Sequence, residues 1–286
     1  MKFVLGIFPN LDKDSVTSVL SKVILQCHSY GIEPILPEAV AEQYNCQSYS
    51  LDDPRTMVSF DAAMSLGGDG TILRTSRFLA ALDVPIFGVN LGKLGFLTEI
   101  EFSQLNDALA KLSNGNFWTE KRSMLQAEVV NETNNLLVKS HALNDIVLTK
   151  GHFSHLARLE IKIAGQKAVV YPADGIIVAT ATGSTAYSLA AGGPIVYPGI
   201  EATVLTPICA HSLEIRPLII PMNDVVEMRV LPPCNEWYLA VDGLNIKRVN
   251  ENERIFIRKS EVNTTFLHVL PPNYYETWQN KLRRGD

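Results

Sequence analysis

Two regimes of hydrophobic spacing divide this chain. In the first, short apolar runs alternate with helical patterns. Lys2–Phe8 is apolar after its single lysine and stops at Pro9-Asn10-Leu11-Asp12, which reads as a first buried strand and is too short for a secretory h-region. Val16, Val19, Val23, Ile24 and Cys27 then recur at helical spacing until Gly31. Glu33–Leu36 and Asp61–Leu66 read as further strands, Thr71–Leu82 as a helix, and Val84–Asn90 as a strand bounded by Pro85 and Gly92. Ser103 is placed to cap a helix carrying Leu105, Ala108, Leu109 and Leu112, ending at Asn114-Gly115. Strands alternating with helices predict a parallel sheet covered on both faces.

After Gly115 the spacing changes. From Phe117 to Ser260 strand patterns are separated by turn clusters such as Asn131–Asn135, Ala164-Gly165-Gln166, Asp242-Gly243 and Asn250–Asn252. Asn273–Lys281 is helical again, with Tyr275, Trp278 and Leu282 on one side. The expectation is an α/β protein with an N-terminal parallel-sheet domain over residues 1–115 and an antiparallel β-rich domain over 116–265. The last segment, 266–286, is expected to pack back on the first domain.

With 286 residues and 47% hydrophobic content, the chain can bury two moderate cores. A formal net charge of −5, with both signs interspersed, offers no basic face to nucleic acid or an anionic membrane. No stretch of about 18 uncharged apolar residues is present to span a bilayer. Cys27, Cys46, Cys209 and Cys234 stand far apart, which suits reduced thiols in a cytoplasm better than disulfides or zinc. His141, His152, His155 and His211 show no metal-ligand spacing.

The densest chemistry lies in Gly67-Gly68-Asp69-Gly70-Thr71, after a strand and at the opening of a helix. Glycines there permit a tight turn and close approach of a ligand, while the first helical turn aims its N–H groups at an anion. The common phosphate loop and the dinucleotide fingerprint are both absent. A carboxylate within a phosphate-binding turn repels phosphate unless a cation neutralises the site or the acid takes a proton from an attacking hydroxyl. Asp69 therefore reads as a kinase base. A second dense segment, Asp174–Pro194, begins as a strand and packs Thr180, Thr182, Gly183, Ser184, Thr185 and Tyr187 together, groups suited to ribose hydroxyls and an adenine edge.

Gly67–Thr71 resembles the GGDGT signature shared by NAD kinases, diacylglycerol and sphingosine-type lipid kinases and, more distantly, phosphofructokinases. Asp174–Pro194, together with Gly88–Thr98, Ala142–Asp145 and Asn273–Glu276, resembles the NAD kinase family in particular, and the similarity runs through nearly the whole chain. The resemblance implies transfer of the ATP γ-phosphoryl group to the adenosine 2′-hydroxyl of NAD, with Mg²⁺ delivered on ATP and Asp69 as general base. It places the phosphates on Gly67, Gly68, Gly70 and Thr71, and NAD on Asn144, Asp145, Asp174, Thr182, Thr185, Ala186, Tyr187, Ser188 and Ala190. The site is expected between the two domains.

Arg74, one turn into the helix, reads as a phosphate contact or a solvated cation, and so does Lys93. Phe96 packs on adenine or in the core, and the resemblance puts His155 near the dinucleotide phosphates. Three departures stand out: Ala181 where the family usually has Pro, Ala190 where Ser is common, and Asn245 one place later than a usual Gln. A lipid kinase sharing Gly67–Thr71, or a non-catalytic dinucleotide sensor, is the rival reading. Asp174–Tyr187 and the lack of a membrane-docking stretch disfavour the first, and retention of Asp69 the second. Exposed sheet edges in the second domain point to a homo-oligomer, a dimer or tetramer.

Overall fold

The computed structural model of the chain describes residues 2–57, 59–92, 95–151, 158–211, 214–232, 236–270 and 274–284. They form two compact units, one of residues 1–121 with 263–286 and the other of residues 122–262. The chain passes from one unit to the other within two strands, several residues beyond the change of pattern at Gly115.

The first unit contains strands β1 (Phe3–Pro9), β2 (Ile32–Pro37), β3 (Gln47–Tyr49), β4 (Ala62–Gly67), β5 (Ile86–Asn90) and β6 (Ile100–Glu101). Its helices are α1 (Asp14–Ser29), α2 (Glu38–Ala41), α3 (Asp69–Leu79) and α4 (Leu105–Ser113). The strands lie side by side in the order β5, β4, β1, β2, β3, and every one of these pairings is parallel. β6 pairs parallel with the end of β5. On one face, Val16, Leu20 and Val23 of α1 and Leu105, Leu109 and Leu112 of α4 bury against Leu5, Ile7, Met64 and Leu66, which accounts for the near-continuous apolar strands.

Three details differ from the sequence reading. β3 was not anticipated, because two of its three residues are exposed and polar. α3 begins at Asp69 and tightens into a 3-10 turn at Ala80–Leu82. Ser103 caps nothing: it lies inside a 3-10 turn, Phe102–Gln104, that Glu101 and the Gln104 side chain close as a capping box.

The second unit takes up strands β7 (Trp118–Val130), β8 (Leu136–Ala142), β9 (Asp145–Lys150), β10 (Arg158–Ile163), β11 (Gln166–Pro172) and β12 (Gly175–Thr180). It continues with the one-turn helix α5 (Tyr187–Ala190), then β13 (Ala202–Ile208), β14 (Leu218–Pro221), β15 (Val226–Leu231), β16 (Trp237–Val241), β17 (Leu244–Val249) and β18 (Arg254–His268). The order β14, β13, β12, β9, β16, β17 forms one antiparallel sheet. β11, β10, β15 and the start of β18 form another antiparallel set, and β7 pairs with β8. Leu148, Ile176, Val178, Trp237 and Leu239 from the first sheet share a core with Leu159, Ile161, Met228, Val230, Ile255 and Ile257 from the second, a sheet-on-sheet packing. β12 is buried at every position, because its other face, at Ile177 and Ala179, is covered by Ala181 and Val196.

The last part of β18 belongs to the first unit, where Phe266 pairs parallel with Ile86. The final helix, α6 (Tyr274–Arg284), is also part of that unit. Tyr275 and Trp278 touch edge to face with ring centroids 5.6 Å apart, while the Leu282 side chain and Asn273 lie outside what is described. Among the described residues, no helix is long and apolar enough to cross a membrane.

Candidate active site

In the first unit the strand order reverses at β1, since the chain moves outward from it to β2 and β3 and then returns to β4 on its other side. In open parallel sheets, ligands bind at the carboxyl ends of strands at such a point. A cavity of about 330 Å³ lies there, lined by Gly67, Gly68 and Asp69 after β4, Asn90 to Gly92 after β5, Lys13 and Ser15 after β1, and Lys281 of α6.

Gly68 caps α3 in extended conformation, and Thr71 Oγ1 accepts its N–H at 3.4 Å. The Thr71 hydroxyl thus serves the helix start. Asp69, the first residue of α3, turns its carboxylate to the loop after β5. Its Oδ2 accepts the Phe96 N–H at 2.7 Å, and its Oδ1 accepts the N–H groups of Leu97 and Thr98 at 3.2 and 3.0 Å and the Thr98 hydroxyl at 3.2 Å. The loop comes this close because position 95 is glycine: a Cβ there would fall 1.8 Å from Asp69 Oδ1. Asp69 is therefore held rigidly beside the cavity and half-buried.

Arg74 does not line the cavity. Its guanidinium donates to the Pro9 carbonyl at 3.1 Å, tying α3 to the end of β1. Lys93, His152, His155 and Cys234 lie outside the described residues. Cys27, Cys46 and Cys209 are free thiols, and burial pushes Cys27 up to about 12.

In the second unit, antiparallel register brings Asp145, at the start of β9, opposite Ala179 near the end of β12. The turn after β12 docks on the same place. Thr180 donates from its N–H to the Asn144 carbonyl at 2.8 Å and from its hydroxyl to the Leu143 carbonyl at 2.6 Å. Gly183 allows this, since a Cβ there would lie 2.1 Å from the Asn144 carbonyl oxygen. Asn144 Oδ1 is buried with no hydrogen-bond partner. Asp242, in a tight turn with positive φ at both Asp242 and Gly243, accepts the N–H groups of Leu143, Asn144 and Asp145 at 3.0, 2.8 and 3.2 Å. Asp145 is 5% exposed, and burial, with the nearby Asp242 charge, lifts its carboxyl to about 7.

Asp174 is half-buried and paired with Lys150 at 2.7 Å, with His211 Nε2 3.7 Å away. Thr182 is buried and accepts from Arg122 at 3.2 Å. Thr185 and Ala186 are partly exposed, and Tyr187 and Ala190 are open to solvent. Ser188 departs from expectation: it is fully buried and bonded to the Thr206 hydroxyl at 2.7 Å, which leaves it no exposed atom for a ligand. Asn245 is exposed on β17.

Asp242, Lys150, Lys13 and Lys281 were not singled out in the sequence. Asp242 was visible only as part of an Asp-Gly turn, and the lysines carried no motif.

Comparison with known proteins finds relatives along nearly the whole chain. The ATP-NAD kinase N-terminal domain model matches residues 10–117, and the ATP-NAD kinase C-terminal domain model matches residues 143–269. An NAD kinase of Caldanaerobacter subterraneus subsp. tengcongensis is 39% identical over 277 residues, covering 97% of this chain and 98% of that protein. An NAD kinase of Clostridium botulinum (strain Loch Maree) is 40% identical over 280 residues, covering 97% and 95%. Among solved structures, yeast NADH kinase complexed with NADH is similar with a TM-score of 0.88 at 28% identity, over 99% of this chain and 87% of that one. An NAD kinase from Archaeoglobus fulgidus in complex with ATP, at 24% identity and a TM-score of 0.76 over 99% of each chain, supports the fold. With relatives this similar along almost its entire length, the chain belongs to the NAD kinase family.

Proposed function

We propose that, in this ATP-dependent NAD kinase, the Gly67–Thr71 turn seats the donor triphosphate and Asp69 accepts the proton of the adenosine 2′-hydroxyl of NAD. Asn144, Asp145, Asp174, Thr182, Thr185, Ala186 and Tyr187 hold NAD in this reading. The observation that carries it is the setting of Gly68 and Gly70. Neither has positive φ, and a Cβ at either would meet nothing within 4 Å. Neither backbone strain nor packing calls for glycine at these positions, whereas a phosphate chain laid on the backbone at a helix N-terminus does.

The clasp on Asp69 supports its role. Oδ1 receives three hydrogen bonds and Oδ2 one, so Oδ2 keeps acceptor capacity for a substrate hydroxyl. A carboxylate fixed by neighbouring N–H groups needs no reorganisation when it takes the proton, and phosphoryl transfer is governed mostly by positioning and charge neutralisation. Mg²⁺ delivered with ATP would supply neutralisation of phosphate charge at this turn. Among the described residues, Asp69 is the one carboxylate lining the cavity, and no group of three or more His, Cys, Asp or Glu side chains forms a metal cage. That donor set fits a Mg²⁺ bound chiefly by phosphates.

On the NAD side, Asn144 is assigned to the adenine edge; its Oδ1 has no hydrogen-bond partner within the protein. Asp145, with its carboxyl near 7, both donates to and accepts from ribose hydroxyls. A homo-oligomer is supported by exposed Leu218 and Ile219 on edge strand β14 and Leu244 on the opposite edge, β17. The free thiols suit a cytoplasmic setting.

The test is NADP formation by the purified protein from NAD, ATP and Mg²⁺. Asp69→Asn should lower kcat by roughly 10²–10⁴-fold with NAD binding retained. Near-normal turnover in that variant, folded as judged by its melting temperature, removes Asp69 from the mechanism.

A further inference from the structure

We propose that Lys281, carried on α6, and Lys13, just ahead of α1, form a two-point cationic clamp on the phosphate chain of the donor. The inference rests on the assignment of the Gly67–Thr71 turn to that donor, and names residues toward it that no motif marks. Both lysines line the same cavity as Gly67, Gly68 and Asp69, although they stand at opposite ends of the sequence.

Among the described residues the cavity lining has one carboxylate, Asp69, and that group is already compensated by the N–H groups of the loop after β5. Two ammonium groups therefore leave the described lining net positive. A multiply charged phosphate chain matches this. The N-terminal turns of two long helices, α1 at Ser15 and α3 at Gly68–Asp69, border the same space and add partial positive charge of the same sign.

Lys281 is also positioned. Its Nζ lies 5.9 Å from the centroid of the Phe96 ring, within cation–π range, and the Phe96 N–H is the one held by Asp69 Oδ2 at 2.7 Å. The residue assigned as base thus fixes the loop whose ring carries the lysine. A lysine acts as a point charge on phosphate oxygens rather than as a reader of base or ribose. The clamp therefore recognises the phosphates and is indifferent to the nucleoside.

Steady-state kinetics of Lys281→Ala, Lys281→Arg, Lys13→Ala and Gly68→Ala test this, with ATP, GTP and NAD varied in turn and inorganic tripolyphosphate as an inhibitor competing with ATP. Lys281→Ala should raise KM for ATP about tenfold. It should raise KM for GTP and Ki for tripolyphosphate by the same factor, and leave KM for NAD within about twofold. Lys281→Arg should keep most of the affinity. Lys13 is exposed, so Lys13→Ala should cost only a few-fold, and that effect should fade at high salt. Melting temperatures should be unchanged in both alanine variants.

An unchanged KM for ATP in Lys281→Ala overturns the clamp, as does a rise confined to NAD, or a rise for ATP with no change for tripolyphosphate. Gly68→Ala separates the two layers of the argument. If it weakens ATP while Lys281→Ala does not, the clamp fails and the donor turn stands. If Gly68→Ala leaves ATP kinetics untouched, the assignment of the turn itself fails.

Discussion

Replacing Asp145 by Asn should stabilise this enzyme at high pH while weakening its hold on NAD. The Asp145 carboxyl titrates at about 7 in the folded protein against an ordinary 3.8, because it is buried and faces the charge of Asp242. A gap of about three pH units corresponds to about 4 kcal/mol at about 1.36 kcal/mol per unit. The folded state binds more protons than the unfolded chain between these values. Stability therefore falls as pH rises from about 4 to about 7 and levels off above. Asn has nearly the shape of the protonated acid and does not ionise, so Asp145→Asn escapes that loss. At pH 4.5 the variant should be ahead by only about 1 kcal/mol. At pH 8 the variant should be the more stable, by up to about 4 kcal/mol or on the order of 10 °C in Tm. Urea unfolding at both pH values, followed by intrinsic fluorescence with Trp237 fully buried in the same unit, reads the difference directly. NAD titration of the same samples should show weaker binding, a trade of stability for function. A variant less stable than the parent at pH 8, or a difference independent of pH, would refute the argument.

Two further outcomes follow from charged groups elsewhere. His268 is buried between Glu99 and Glu120, with Trp118 stacked on its ring at 4.3 Å and Tyr274 donating to Glu120 at 2.6 Å. Burial opposes its charge, but hydrogen bonds and charges of Glu120 and Glu99 outweigh this and raise its pKa. The stabilisation is complete below about 6.5 and is lost as pH rises through the higher folded value; His268→Gln should flatten the fall in Tm above pH 6.5, and an unaltered slope would show that the triad contributes nothing. Asp242→Ala should destabilise the second unit by roughly 2–4 kcal/mol, because three backbone N–H groups lose their acceptor. It should also raise KM for NAD, and a normal KM in the folded variant would deny Asp242 its part in positioning Asn144 and Asp145.

Local sequence determined a good deal of this protein. The Gly67–Thr71 turn was legible because strand, glycines and helix start are contiguous. The change from parallel to antiparallel architecture was legible because helical spacing gives way to strand spacing after Gly115. Where a short-range signal was ambiguous, the reading slipped: Ser103 looked like a cap, but the neighbouring Glu101 and Gln104 already closed that turn. The family resemblance places Ser188 on NAD, but packing turns it onto Thr206. Tertiary structure alone decided the rest. Asp242 meets Asp145 only because β16 pairs with β9 in the register that sets Val241 opposite Ile146, and the raised carboxyl of Asp145 exists only in that fold. Lys13 and Lys281 share a cavity only because β1 sits where the strand order reverses and α6 belongs to the same unit. Short-range interactions specify turns and elements, whereas the electrostatics of a site depend on which distant charges the register and packing bring together.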